Sequence, residues 1–295
     1  MPDAGRQARR SSRAGALAVL VALKAQAAPL RAMPPSRLAD VVSRTVAAAR
    51  GKKVILIGEG HGTVEIPEFT AELVAALKKS RRVALALEIP VENQADVDRF
   101  AAGRDGALSD SKFFKEDRDG RSSQAEAALI RRAGPPVACV EPNSALDAQE
   151  RDDAMAKNVL RLVRSHPGTI VVMLTGNVHS ALTVGMPWDP AFRPMAASLL
   201  KPGTGLSRAD VLSINLNESG GETWDCDERT CGVHTRSFNG PAEAAPSYDA
   251  SRSGSTQRYD AVIQLGPTHA SVPFLDPKAG STPAAPQDPT LRPAS

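Results

Sequence analysis

Four short apolar runs recur in the first part of this chain: Val54 to Ile57, Val83 to Ile89, Val137 to Val140 and Ile170 to Leu174. Each has the length of a strand, and none shows the alternation of a half-exposed one, so both faces should be covered. Helical spacing fills the intervals: Arg37 to Arg50 with Ser36 as N-cap, Phe69 to Lys79, Gln94 to Ala102, Ser123 to Arg132 and Glu150 to Ser165. Gly134-Pro135-Pro136 and Pro167-Gly168 stop two of these helices. Strand alternating with helix predicts an α/β fold with a mostly parallel central sheet covered by helices on both faces. Val211 to Asn217 and Ala261 to Leu265 read as later strands, and the Gly-, Ser-, Ala- and Pro-rich stretch Asn239 to Arg258 as a surface excursion.

The two chain ends read differently. Residues 6 to 13 are basic, Ala14 to Leu23 are small or apolar, and Ala25-Gln26-Ala27 fits a small-x-small cleavage site. Residues 1–27 are therefore expected to be a signal peptide, residues 28–275 a single domain, and residues 276–295, with five prolines, a disordered tail. The net charge of +3 belongs to the leader, because without it 31 basic residues face 32 acidic ones. The body thus has no electrostatic case for nucleic acid, and an aromatic content of 4% gives no base-stacking platform. No apolar run reaches the roughly 20 residues of a membrane span. The expected location is secreted or periplasmic, and the expected partner is a small-molecule substrate or ligand.

Cysteine usage agrees with export. Cys226 and Cys231 flank a polar four-residue stretch, where a disulfide would close a hairpin tip. Cys139 reads as a buried small apolar residue.

In open α/β sheets, ligands bind beyond the carboxyl ends of the strands. After the first run comes Gly58-Glu59-Gly60-His61-Gly62-Thr63-Val64-Glu65; the second ends in Glu88, the third in Glu141, and the fourth leads into Gly176-Asn177-Val178-His179. Singly, each acid or histidine is an ordinary strand end. Together, Glu59, His61, Glu65, Glu88 and His179 form a histidine/carboxylate cluster on the expected ligand edge. Dinucleotide, P-loop, H-E-x-x-H and G-x-S-x-G signatures are absent.

At these residues the sequence resembles the erythromycin esterase-like and ChaN-like superfamily, related to the TraB/Tiki proteins. Gly58 to Gly62, with Glu65 and Phe69, is similar to its G-E-x-H-G region, and Leu87-Glu88 to its acidic second-strand end. Arg151-Asp152-x-x-Met155-Ala156-x-Asn158 is similar to its R-D-x-x-M-A-x-N helix, and Gly176 to His179 to its G-N-x-H segment. Asp119 to Ser122 is similar to a loop of some members. The second histidine that the esterases carry near the fourth strand has no counterpart in Ser180-Ala181-Leu182.

The resemblance implies a hydrolase that activates water against an ester, lactone or amide bond. His61 would be the general base, Glu59 or Glu65 would fix its tautomer, Glu88 would orient the water, and His179 would polarise the carbonyl or protonate the leaving group. Arg121, Arg151 and Asn177 are the expected substrate-binding residues. A metal-dependent variant, as in Tiki proteins, would use His61, Glu88 and His179 as ligands of a divalent ion. A ChaN-type reading would make His61 or His179 an axial ligand of haem.

Overall fold

The computed structural model describes residues 35–116, 118–143, 146–217, 220–227, 230–236, 247–250 and 258–275. The leader and the C-terminal tail lie outside the described residues, as does much of the Asn239 to Arg258 stretch.

The chain opens with helix α1 (Pro35–Ala48), strand β1 (Val54–Glu59), helix α2 (Glu65–Lys78) and strand β2 (Arg82–Pro90). Helices α3 (Gln94–Ala101), α4 (Lys112–Glu116) and α5 (Gln124–Ala133) precede β3 (Val137–Glu141). Helix α6 (Ala148–Ser165) leads to β4 (Thr169–Gly176), then α7 (Met195–Leu199) and β5 (Val211–Asn217). Strands β6 (Gly221–Cys226) and β7 (Cys231–Arg236) form an antiparallel hairpin. The last strands are β8 (Ser247–Asp249) and β9 (Ala261–Gln264).

Among the described residues, seven strands make one sheet in the order β3-β2-β4-β1-β5-β9-β8, parallel except for β8 against β9. The alternation of residues along its strands divides the core. Val54, Leu56, Ala84, Ala86, Val171 and Met173 pack with Met155 and Val159 of α6 and with Met195 and Leu199 of α7. Ile55, Ile57, Leu85, Leu87, Val172 and Leu174 alternate with them and are equally buried. Helix α2 packs on β2 and β4 and against α5 and α1. Each fully buried Phe or Leu, such as Phe69 and Leu73 of α2, contributes about 1.5–3 kcal/mol of burial.

The α/β expectation holds, and so does the Cys226–Cys231 disulfide, which ties paired residues at the tip of the β6–β7 hairpin. Four local expectations need correction. Helix α1 begins at Pro35, so Ser36 lies inside its first turn; proline is tolerated there because that N–H has no helical partner. Helix α2 begins at Glu65, four residues before Phe69, since Glu65 and Glu68 suit the positive end of the helix and Pro67 falls in its first turn. Between Ala102 and Ser123, where the sequence predicts no helix, lies the short α4. Strand β8 lies within the expected excursion.

The C-terminal segment straps the strand edge. Val64 N donates to His269 O (2.9 Å), Ser271 N to Gly62 O (2.8 Å), Gln124 N to Val272 O (2.9 Å) and Phe274 N to Ser122 O (2.8 Å). Phe274 then packs edge-on against Phe100 and Phe114, with centroids 5.8 and 5.9 Å away. Among the described residues, no helix is long and apolar enough to cross a membrane.

Candidate active site

Parallel register brings the strand ends level: Glu59 is paired with Gly176, and Leu87 with Leu174. Glu59 and Glu88 therefore emerge at one edge, beside the turn that carries His179. Past β1 the chain turns at Gly62, which has φ 85° and whose Cβ would meet Trp224 O at 1.9 Å, so only glycine fits. Trp224 N donates to Gly62 O (2.9 Å), and Thr223 Oγ1 donates to His61 O (2.7 Å). The disulfide hairpin thus holds the backbone that presents His61.

The His61 imidazole stands between two buried carboxylates. Its Nδ1 is 2.9 Å from Glu59 Oε1, and its Nε2 is 3.3 Å from Glu88 Oε2. Thr175 Oγ1 donates to Glu88 Oε1, and Gly176 N reaches the same oxygen at 3.3 Å. The second imidazole converges on Glu88 from the other side, with His179 Nε2 3.7 Å from Glu88 Oε1. His179 Nδ1 pairs with Asp152 Oδ1 at 2.7 Å, and Asp152 Oδ2 accepts from Met195 N at 2.6 Å. Arg151 forks onto Glu141 through Nε (2.5 Å) and Nη2 (2.9 Å), leaving Nη1 2.9 Å from His179 Nε2. That last contact suits a neutral ring with its hydrogen on Nδ1. A Cβ on Gly176 would lie 3.5 Å from His61 Nε2 and 3.8 Å from His179 Nε2, so both rings face one point that glycine leaves open.

Burial and charge set the protonation of this cluster. Burial opposes the imidazolium of His61, but Glu59 and Glu88 overcome it and lift the ring well above its ordinary 6.5. Burial likewise opposes the charge on His179, yet Glu88 and Asp152 raise it. Glu88 is pulled well below the carboxylate range: burial works against this, and His179, His61 and Arg151 outweigh it. Glu59 is raised by burial in spite of its bond to His61. Glu126, one turn into α5, is pushed well above the carboxylate range by burial and then by Glu59.

Of the expected site residues, Glu59, His61, Glu88 and His179 come together. Glu65 does not reach His61. It is turned toward the C-terminal strap, where Oε1 is 2.6 Å from His269 Nδ1 and Oε2 accepts from His269 N at 2.9 Å. Opening α2 at Glu65 directs this side chain away from the strand edge, and Glu59 is the carboxylate that meets His61 Nδ1. Arg121 lies beside Glu88, donating from Nη1 to Glu88 O (3.3 Å) while Nη2 pairs with Asp119 (2.7 Å). Asn177 contributes backbone: its N donates to Glu59 O (2.8 Å), and its O accepts from Tyr259 Oη (2.8 Å).

Sequence reasoning left Asp152, Glu141, Thr175 and Glu126 outside the site. Asp152 was visible in the Arg151-Asp152 pair, but neighbours on a helix point in different directions and only the fold shows where each goes. Glu126 lies three residues after Ser123, and its backbone N–H does donate to Ser123 Oγ (3.2 Å) in capping fashion, which disguises a buried carboxyl as a cap.

Both imidazole Nε2 atoms face the Glu88 carboxylate, and that of His179 also meets Arg151, so a haem iron at either ring would have to displace these contacts. Among the described residues, Glu59 Oε2 is buried without a hydrogen-bond partner, which would suit a cation, but Glu88 Oε2 is already faced by His61 Nε2 at 3.3 Å and Arg151 Nη2 at 3.9 Å. Among the described residues, no three His, Cys, Asp or Glu side chains are arranged to hold a metal ion.

Residues 45–123 match the family model described as haem-binding uptake, Tiki superfamily, ChaN. A comparison with curated protein sequences gives no match. Among solved structures, a mutant of the erythromycin esterase EreC in its open conformation is similar, with a TM-score of 0.56, 13% identity and coverage of 79% of this chain and 95% of that one. A succinoglycan biosynthesis protein gives a TM-score of 0.58 at 10% identity, covering 78% of this chain and 92% of that one. A protein from Bacillus cereus gives 0.57 at 11% identity, covering 83% and 96%. At such identities the likeness is one of fold. Residues 45–123 are thus similar to the ChaN/Tiki haem-binding family model, and the wider chain shares its fold with these solved structures.

Proposed function

We propose that the chain is a hydrolase that activates water against an ester, lactone or amide bond at the point faced by His61 and His179. The observation that carries this is the double pairing: two imidazoles converge on Glu88, and each is backed by its own buried carboxylate, Glu59 or Asp152. Glu59 holds the His61 tautomer whose Nε2 accepts a proton from water. Glu88 orients that water. The hydroxide adds to the carbonyl carbon, and the Arg151 guanidinium, held in place by His179 Nε2, faces the charge that develops on its oxygen. The proton on His61 then passes to the leaving group. Arg121, beside Glu88, is the proposed contact for an anionic part of the substrate, which would compete with Asp119 for the guanidinium.

The reading includes export to a secreted or periplasmic location, supported by the leader pattern and by a disulfide of the kind that persists in oxidising compartments. The test is a panel of chromogenic esters, lactones and anilides, with a haem titration run in parallel on the same protein. Turnover abolished in His61→Ala, with no haem band, supports the reading. A stoichiometric haem band lost in His61→Ala, with background turnover throughout, replaces it with haem binding.

A further inference from the structure

The opposite end of the sheet holds a cavity. Lys52 and Lys53 precede β1, Arg81 precedes β2, and Pro167-Gly168 precede β4; because these strands are parallel, their starts meet at one edge. There they line a cavity of about 530 Å³ with Arg164, Leu160 and Val163. β1 spans six residues, so the cavity is about 20 Å from the candidate active site. Its volume is within the range of small-molecule sites.

The charge of this cavity is one-sided. Four cationic side chains line it and no acidic one does. Lys53 is answered by Asp210 at 3.0 Å just outside. Among the described residues, the other cations meet only carbonyls or nothing. Arg81 donates to Ala49 O (3.3 Å) and Lys52 O (3.1 Å), and Arg164 to Thr204 O (2.9 Å). The Lys52 ammonium has no hydrogen-bond or ion-pair partner among the described residues. A carbonyl satisfies a guanidinium donor but leaves its charge uncancelled. Three positive charges around a concave surface focus a potential that favours an anion. Leu160 and Val163 add an apolar wall, so a bare inorganic ion would leave part of the cavity unused.

We propose that this cavity is a second ligand site, independent of the hydrolytic one, for a small organic anion: a phosphorylated or carboxylated molecule with a compact apolar body. The anionic head lies against Lys52, Arg81 and Arg164, and the body against Leu160 and Val163.

The probe is phenylphosphonate, which has the head and the body but no ester bond to hydrolyse. It is titrated calorimetrically into the full chain, its Lys52→Gln and Lys52→Glu variants, and His61→Ala. Saturable 1:1 binding is expected in the wild type and in His61→Ala, about tenfold weaker in Lys52→Gln and absent in Lys52→Glu. Arg164→Gln, on the exposed rim, supplies a second weakened variant, and thermal melts confirm that each variant is folded. Absence of saturable binding to the wild type, or Lys52→Glu binding as the wild type does, overturns the proposal. Binding lost in His61→Ala alone moves the ligand to the candidate active site and overturns it equally. Ester turnover in the Lys52 variants stays at the wild-type level, so the two sites fail or stand separately.

Discussion

Asp152 and His179 are 27 residues apart in sequence and 2.7 Å apart in space. Asp152 is fully buried on α6, and its second oxygen accepts from Met195 N, so one carboxylate fixes both the imidazole and the start of α7. The Asp152→Asn variant keeps the shape but offers an amide to groups that need an acceptor. It is expected to lose about 1–3 kcal/mol of stability in urea unfolding and at least tenfold in kcat. Asp153, next along the helix, pairs instead with Ser198 and Lys201, and Asp153→Asn should leave kcat unchanged.

The protonation of His61 sets a pH dependence. A general base must be neutral, and Glu59 and Glu88 hold this ring protonated above its ordinary 6.5. The rising limb of kcat/KM is therefore expected on the alkaline side of 6.5. Removing the Glu88 charge takes away one stabiliser of the imidazolium, so Glu88→Gln should move that limb toward acid while lowering its plateau. A limb that stays in place in Glu88→Gln contradicts the assignment.

Two buried carboxyls have opposite effects on stability. Glu88 has a depressed value in the fold, so its contribution is present above the ordinary 4.5 and is lost as pH falls through the lower folded value. Glu126 has a raised value, so the fold loses stability as pH climbs from 4.5 toward it. Glu126→Gln, which mimics the neutral acid, should raise the melting temperature at pH 8, by the equivalent of about 1–2 kcal/mol, and change it little at pH 4. Differential scanning calorimetry at the two pH values reads this difference.

Gly176 keeps open the point that both imidazoles face. A methyl there would stand 3.2 Å from His179 Cδ2 and 3.5 Å from His61 Nε2. Gly176→Ala is expected to fold, because its φ is not in the left-handed region, and to lose more than tenfold in turnover through displaced rings or excluded water. A melt close to wild type with that loss separates occlusion from misfolding.

The hairpin disulfide stiffens the support of His61. It spans five positions, and closing so short a loop contributes about 2 kcal/mol. Reduction, or the Cys226→Ser/Cys231→Ser pair, should lower the melting temperature and increase amide exchange at Trp224, whose N–H donates to Gly62 O.

Much of this fold was legible because apolar runs with strand length can only be satisfied between two helical layers. The runs Val54 to Ile57 and Ile170 to Leu174 lie within adjacent parallel strands, and their endings gave Glu59 and His179 a shared edge. The partners of those residues were less legible, because direction is set by packing. Glu65 follows the same loop as His61, yet helix α2 begins at that residue and turns it to His269, near the far end of the described chain. The hairpin's hold on Gly62 joins residues more than 150 positions apart, a pairing that no local pattern in either segment encodes.

The central claim is that the convergence of His61 and His179 on Glu88 performs hydrolysis. Its most direct test is kcat/KM for the best substrate of the ester and lactone panel, measured at pH 8 for wild type, His61→Ala and His179→Ala, each confirmed folded by its melt. Losses of about 10²–10⁴ are expected in both variants. Turnover within twofold of wild type in His61→Ala would contradict it.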